Sequence, residues 1–133
     1  MKGVYRETGK IISYMVYHLV FCPKYRRKIF LIPGIKERFH EITERICKDH
    51  DIYILSLDFG EDYVYMEVDI PPEINIKDAI REIKAATSSS LRQEFVKLSS
   101  MHSLWTRSYF LSTEESIDKD TINGFLAAQK RRP

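Results

Sequence analysis

Hydrophobic and polar positions recur with clear periods along most of the chain. Ile11 to Phe21 is dense in β-branched and aromatic residues. Its alternation sets Met15, Tyr17, Leu19 and Phe21 against Tyr14, Val16, His18 and Val20, which predicts a first strand. After Pro33, apolar residues at Ile35, Phe39, Ile42 and Ile46 share one helical face. Ile52 to Phe59 and Tyr63 to Ile70 predict two more strands, joined by Gly60-Glu61-Asp62 as a hairpin and stopped by Pro71-Pro72. Ile76, Ile80, Ile83, Leu91 and Phe95 mark a second helix that contains Ser88-Ser89-Ser90. Ser103 to Ser112 predicts a fourth strand. Asp118 is a candidate N-cap for a last helix, Lys119 to about Lys130, with Gly124 inside it.

The order β-α-β-β-α-β plus a C-terminal helix is an α+β, ferredoxin-like arrangement, with an antiparallel sheet and helices on one face. No repeat, low-complexity stretch or linker divides it, so residues 1–133 read as one domain. The other face is expected to be open, and strand alternation lists what it carries. Val64, Met66, Val68 and Ile70 should pack on the helices, as should Leu55, Leu57 and Phe59. Tyr63, Tyr65, Glu67 and Asp69 then point the other way, with Ser56, Asp58 and His18. Two readings of that group stay open. One His and several carboxylates suit a hard cation such as Mg²⁺ or Mn²⁺, or a phosphate site. The same residues suit a solvated face with tyrosines in cross-strand pairs.

Composition narrows the class. Hydrophobic residues make up 44% of the 133-residue chain, too many for a disordered segment. No apolar run nears the ~18 residues of a membrane span, and the first residues lack the apolar stretch of a secretory signal. A cytoplasmic protein with no membrane partner is expected. Two cysteines, Cys22 and Cys47, exclude a disulfide framework and a zinc ribbon and read as small buried hydrophobes. His40, His50 and His102 read as surface residues, and Trp105 as core in preference to a base-stacking platform.

The net charge of +2, from 21 basic and 19 acidic side chains, argues by itself against a nucleic-acid binder. Its distribution changes that. Lys24-Tyr25-Arg26-Arg27-Lys28 sets cations around an aromatic, and Lys130-Arg131-Arg132 closes the chain. Asp51 to Ile76 holds seven acids and no Lys or Arg. A cationic cluster around an aromatic suits phosphate contacts with base stacking. It equally suits a solvated loop beside a strand end.

Four blocks resemble one family. Tyr17-His18-Leu19-Val20-Phe21-Cys22-Pro23-Lys24-Tyr25-Arg26-Arg27-Lys28 resembles the opening motif of the single-tyrosine HUH transposases of the insertion-sequence 200/605 family. Asp62-Tyr63-Val64-Tyr65-Met66-Glu67-Val68-Asp69-Ile70-Pro71-Pro72 stands where that family has an Asp-His-hydrophobic-His strand ending in Pro-Pro. Ile83-Lys84, Thr87-Ser88 and Leu91-Arg92-Gln93-Glu94-Phe95 resemble the helix that follows. Leu104-Trp105-Thr106-Arg107-Ser108-Tyr109-Phe110 resembles the family's Leu-Trp-Ser-Arg-Ser-Tyr-Phe block. The blocks are collinear from about residue 11 to 129. The resemblance implies a homodimer with swapped C-terminal helices and recognition of single-stranded DNA hairpins. It also implies cleavage through a 5′-phosphotyrosine with Mg or Mn held by two histidines and an acidic or amide group.

The positions that define this chemistry are altered. Tyr63 and Tyr65 stand at the two histidine positions, and a neutral phenol is a poor ligand for Mg²⁺ or Mn²⁺. Phe125 stands at the nucleophile position and has no hydroxyl. Glu67 and Asp69 add carboxylates where the family has apolar or small residues, and Ala85, Ala86 and Ser89 replace common Gly and Arg. His18, Asp58 and Asp62 remain as residual metal ligands. Lys24, Tyr25, Arg26, Arg27, Lys28, Lys84, Arg92 and Arg107 remain as DNA-binding candidates. The leading expectation is a catalytically degenerate transposase with little or no metal binding that keeps its fold and binds DNA. A second is an active strand transferase with Tyr65 or Tyr63 as relocated nucleophile and a carboxylate-bound metal at Asp58, Glu67 and Asp69. A third is a non-enzymatic dimer partner that represses an intact relative.

Overall fold

The computed structural model describes residues 4–129. The chain opens with a two-stranded ribbon, β1 (Arg6–Thr8) and β2 (Ile11–Ser13), turned at Gly9 with φ +58°. The main sheet follows: β3 (Val16–Phe21), then β4 (Tyr53–Phe59), β5 (Val64–Asp69) and β6 (Phe110–Ser112). The helices are α1 (Ile35–Asp49), α2 (Ile76–Glu94) and α3 (Lys119–Gln129). The main sheet is antiparallel throughout, in the order β4-β5-β3-β6. That is the ferredoxin-like order, and it puts β3 and β5 at the centre. No helix among the described residues is long and apolar enough to cross a membrane.

Each helix starts where the sequence supplies a stop or a cap. Gly34 takes φ +91° before α1, a left-handed backbone that favours glycine. Asn75 Oδ1 accepts the backbone N–H groups of Lys77 at 2.9 Å and Asp78 at 3.3 Å to open α2. Asp118 Oδ1 accepts the Thr121 N–H at 2.8 Å to open α3. The apolar stripe of α1 and that of α2 bury against one sheet face. Leu19, Phe21, Val64, Met66 and Val68 form the sheet side of that core. Phe39 lies at its centre, with its ring near those of Phe21, Phe30, Phe59 and Trp105. Trp105 is core, as its residue type suggests, and Cys22 and Cys47 are buried.

The structure corrects the sequence reading in four places. First, Ile11 to Phe21 is not one strand. It breaks at Tyr14-Met15, and Ile11–Ser13 folds back on Arg6–Thr8. Second, a bulge between Ile54 and Ser56 leaves Leu55 unpaired and puts Ile54, not Leu55, against the core with Leu57 and Phe59. Third, only Phe110–Ser112 of the 103–112 run is a strand. Trp105 contributes one isolated bridge to Pro23. Fourth, the second sheet face is not open. Ile122 and Leu126 of α3 pack on Val20 and Cys22, with Tyr63, Tyr65, Phe110 and Phe125 around them. In this single chain α3 thus lies on its own sheet. Residues Lys130, Arg131 and Arg132, the basic tail of the sequence, lie outside the described residues.

Candidate functional site

The second face gathers the residues that strand alternation assigns to it. β3 and β5 run in register, with His18 opposite Glu67 and Val20 opposite Tyr65. His18 is 1% exposed, and its Nδ1 lies 2.6 Å from the Tyr65 hydroxyl. The two rings stack, 5.9 Å between centroids and 9° from parallel. On the other side of the imidazole, Nε2 lies 3.9 Å from Glu67 Oε2. Tyr65 and His18 thus form a hydrogen-bonded pair within the sheet, with the Glu67 carboxylate beside it beyond hydrogen-bond distance. Tyr63 rests beside α3, and its ring closes over Gly60, where a Cβ would collide with it. Glycine is needed there for close approach.

Glu67 and Asp69 are buried, not spread on a solvated face. Arg6 explains Asp69. Its Nη2 donates to the Asp69 carbonyl oxygen at 2.9 Å, its Nε lies 3.5 Å from Asp69 Oδ1, and its guanidinium covers the Tyr53 ring at 3.9 Å. Sequence reasoning missed Arg6, because nothing in its neighbourhood marks a ribbon folding back over the sheet except Gly9. Between this ribbon and the segment after β6 is a cleft of about 590 Å³, lined by Tyr5, Tyr14, Tyr17, His18, Glu67 and Glu114 among others.

The residual metal ligands do not converge. Asp58 is exposed on β4. Asp62 Oδ2 accepts from Arg26 Nε at 2.8 Å. His18 is held by Tyr65. Among the described residues no group of three or more His, Cys, Asp or Glu could hold a metal ion. The donor set therefore does not fit the divalent ion that the resemblance implies. Phe125 is half-buried, with its ring centroid 6.2 Å from that of Phe110.

The basic residues divide into two kinds. Arg26 turns inward, because Tyr25 and Arg26 take φ of 61° and 49°, a left-handed pair that is uncommon outside glycine. Besides Asp62, Arg26 donates from Nη1 to the Leu126 carbonyl oxygen at 3.4 Å, which ties the arm to α3. Lys84 Nζ donates to the carbonyl oxygens of Thr106 at 2.7 Å and Arg107 at 3.4 Å. Burial pushes its ammonium down to about 8. Arg92 donates to the carbonyls of Ser88 and Met101, at 3.1 and 3.2 Å. These three cations hold the fold together. Tyr25, Arg27, Lys28 and Arg107 are exposed, and Lys24 is half-exposed. His40 and His102 are exposed as expected, while His50 is half-buried and lies 2.9 Å from Glu82 Oε1.

Comparison with known proteins gives a consistent result. The family described as "Transposase IS200 like" matches residues 11–129. Two curated relatives, each named as the transposase for insertion sequence element IS200, come from Salmonella typhimurium and Salmonella typhi. Both are 31% identical over 101 residues, which is 73% of this chain and 65% of each relative. The match thus spans just under two thirds of their length. Among solved structures, a transposase candidate from Deinococcus radiodurans R1 is similar with a TM-score of 0.83 at 22% identity, over 93% of this chain and 97% of that one. A REP-associated tyrosine transposase bound to a REP hairpin is similar with a TM-score of 0.60 at 12% identity, over 90% of this chain and 67% of that one. At these identities the two structures speak for the fold.

Proposed function

The chain belongs to the IS200-like transposase family, and on that premise we propose that it is a catalytically silent member that binds hairpin-bearing single-stranded DNA as a homodimer without cutting it. One observation carries this reading: the three positions that match the family's two histidines and tyrosine hold Tyr63, Tyr65 and Phe125. At the first two, phenols offer little to a divalent ion. The third offers no nucleophile. Glu67 also places a carboxylate beside His18 at the cleft, and like charge disfavours the approach of a phosphate there. The hairpin ligand and the dimer are taken from the family pattern; one structural relative is described as bound to a REP hairpin.

Incubation with hairpin-bearing single strands in Mg²⁺ or Mn²⁺ tests the reading. Shifted but uncleaved DNA is expected. A cleavage product, or a covalent adduct on a denaturing gel, overturns the silent site. Sedimentation of the purified chain tests the dimer.

A second reading is favoured by one contact. A hydroxyl 2.6 Å from an imidazole nitrogen is the arrangement of a nucleophile and its base, with Glu67 3.9 Å beyond the imidazole as the nearby carboxylate. In it Tyr65 Oη would attack the phosphorus, its proton would pass to His18 Nδ1, and the 3′ oxygen would leave. This reading requires an adduct that disappears in Tyr65→Phe.

A further inference from the structure

The cleft between the ribbon and the segment after β6 carries acids and aromatic rings without a cation. The carboxylates of Glu67, Glu114 and Glu115 line it, and among the described residues no Lys or Arg does. Tyr5, Tyr14 and Tyr17 share the lining. The rings of Tyr5 and Tyr14 form a corner, 5.8 Å between centroids and 59° between planes. Tyr5 is 66% exposed and Tyr14 40%, so two large rings stand in water at this one cleft. Carboxylates attract a cation and repel a phosphate. The electron-rich faces of tyrosine rings attract a cation as well.

The floor of the cleft adds an independent observation. His18 is buried and lines the cleft. Its Nδ1 is taken by the Tyr65 hydroxyl, but its Nε2 is buried with no hydrogen-bond partner in the chain. The Glu67 carboxylate, 3.9 Å away, is too far to supply one. A buried ring nitrogen left in this way costs stability, and a group bound in the cleft would satisfy it. With Nδ1–H donating to the Tyr65 oxygen, Nε2 is an acceptor. It then stands beside Glu67 Oε2 in a pair of acceptors that two N–H groups of one planar cation can reach together.

The chain itself shows how this sheet face holds such a group. Two residues further along β5, Arg6 lies on the buried Asp69 with its guanidinium 3.9 Å from the centre of the Tyr53 ring. Glu67 repeats that combination, a buried carboxylate beside tyrosine rings, at a cleft that no described basic side chain fills.

We propose that this cleft is a binding site for a guanidinium-bearing ligand. The planar cation lies against the corner of Tyr5 and Tyr14. Its N–H groups donate to Glu67 and to His18 Nε2, and Glu114 and Glu115 add charge at the rim. A guanidinium fits better than an ammonium, because it is flat, stacks on rings and presents several N–H donors in one plane. The volume of about 590 Å³ is that of a small-molecule site. The site uses none of the basic arm, Tyr63 or Phe125, so it stands or falls independently of DNA binding.

Isothermal titration calorimetry with agmatine tests this. A tripeptide amide with one central arginine is the second probe, and 1,4-diaminobutane is the ammonium control. Saturable binding of a guanidinium probe is expected, about 10-fold or more tighter than that of diaminobutane. Tighter binding of agmatine assigns the site to a free small molecule, and tighter binding of the peptide to an arginine side chain. Glu67→Gln keeps the shape and removes the charge, and is expected to weaken binding about 10- to 100-fold. Tyr5→Ala is expected to weaken it about 2- to 5-fold, with Tyr5→Phe restoring it, since the ring and not the hydroxyl faces the cation. Because Tyr5 is exposed, this variant tests the site even where Glu67→Gln unsettles the fold. No saturable binding of either guanidinium probe to the folded wild-type chain overturns the site. So does binding that is unchanged in both Glu67→Gln and Tyr5→Ala. Equal binding of diaminobutane overturns the assignment to a guanidinium.

Discussion

The two faces of the sheet are built by different means. The face under α1 and α2 is a continuous apolar core with an aromatic cluster of Phe21, Phe30, Phe39, Phe59 and Trp105. The face under α3 carries a small apolar cluster among the described residues, with Val20, Cys22, Ile122 and Leu126 buried. Its remaining area is held by polar contacts: Tyr65 on His18, Arg6 on Asp69, and Arg26 between Asp62 and α3. The first face is what every member of such a fold needs. The second is where the family pattern places its chemistry. In this chain phenols, a ribbon and a buried arginine occupy it. Packing and charge pairing hold that face together around a cleft of about 590 Å³.

Stability measurements can break that comparison. Phe39→Ala removes a fully buried ring from the first face and is expected to cost about 4 kcal/mol. Leu126→Ala removes the main apolar anchor of α3 and is expected to cost about 2 kcal/mol, because a peripheral helix can relax into the space. Urea midpoints of the two variants check this. Equal losses would mean that the faces are equal parts of one core.

Arg6→Ala falls between the two, at about 3 kcal/mol, because it leaves the Asp69 carboxylate buried beside no cation. Double substitution of Arg6→Ala with Asp69→Asn should recover part of that loss. No recovery would mean that Arg6 acts through its packing on Tyr53 alone.

The difference between the faces also explains what could be read from the sequence. The period of β5 was legible because Val64 to Asp69 pairs without a break on β3 and the irregularity of its other ladder falls in β4, so its alternation survives intact. The bulge at Leu55 was not, because all of Tyr53-Ile54-Leu55 is apolar or aromatic and any register satisfies the pattern. The ribbon over Asp69 was hidden for a similar reason. Ile11 to Phe21 is strand-forming throughout, and only the left-handed Gly9 marks the turn that sends Ile11–Ser13 back to Arg6–Thr8. The basic arm was legible as charge but not as direction. Arg26 and Arg27 are adjacent and alike, yet backbone dihedrals send one to Asp62 and leave the other in water. Residues 103–109 do not form a strand because Leu104 to Arg107 bond in part to the side chains of Lys84, Thr87 and Ser88 in α2, a pairing that no local period reveals.

A smaller effect separates packing from chemistry at Tyr65. Tyr65→Phe removes the hydroxyl beside His18 Nδ1 and is expected to cost about 1 kcal/mol, by leaving a buried nitrogen without that partner. A loss of this size in thermal unfolding means the pair is structural. Unchanged or raised stability would mean that the contact is held at the expense of the fold, as functional contacts are, and would favour the reading in which Tyr65 is a nucleophile.

The smallest expected effect lies at the start of α3, where the second face is anchored. Hydrogen bonds from the Thr121 backbone N–H and side-chain hydroxyl hold the Asp118 carboxyl below its usual 3.8. The folded protein therefore binds this proton less readily than the unfolded chain. Its contribution is fully present above pH 3.8, starts to fall as pH drops through that value, and is gone below the lowered folded value. Asp118→Asn keeps a capping oxygen and removes the titration. The stability difference between wild type and Asp118→Asn should thus be constant from neutral pH to about pH 5 and shrink in wild type below about pH 4. A difference flat to about pH 2 would mean that α3 does not depend on its charged cap, and that Ile122 and Leu126 alone hold it on the sheet.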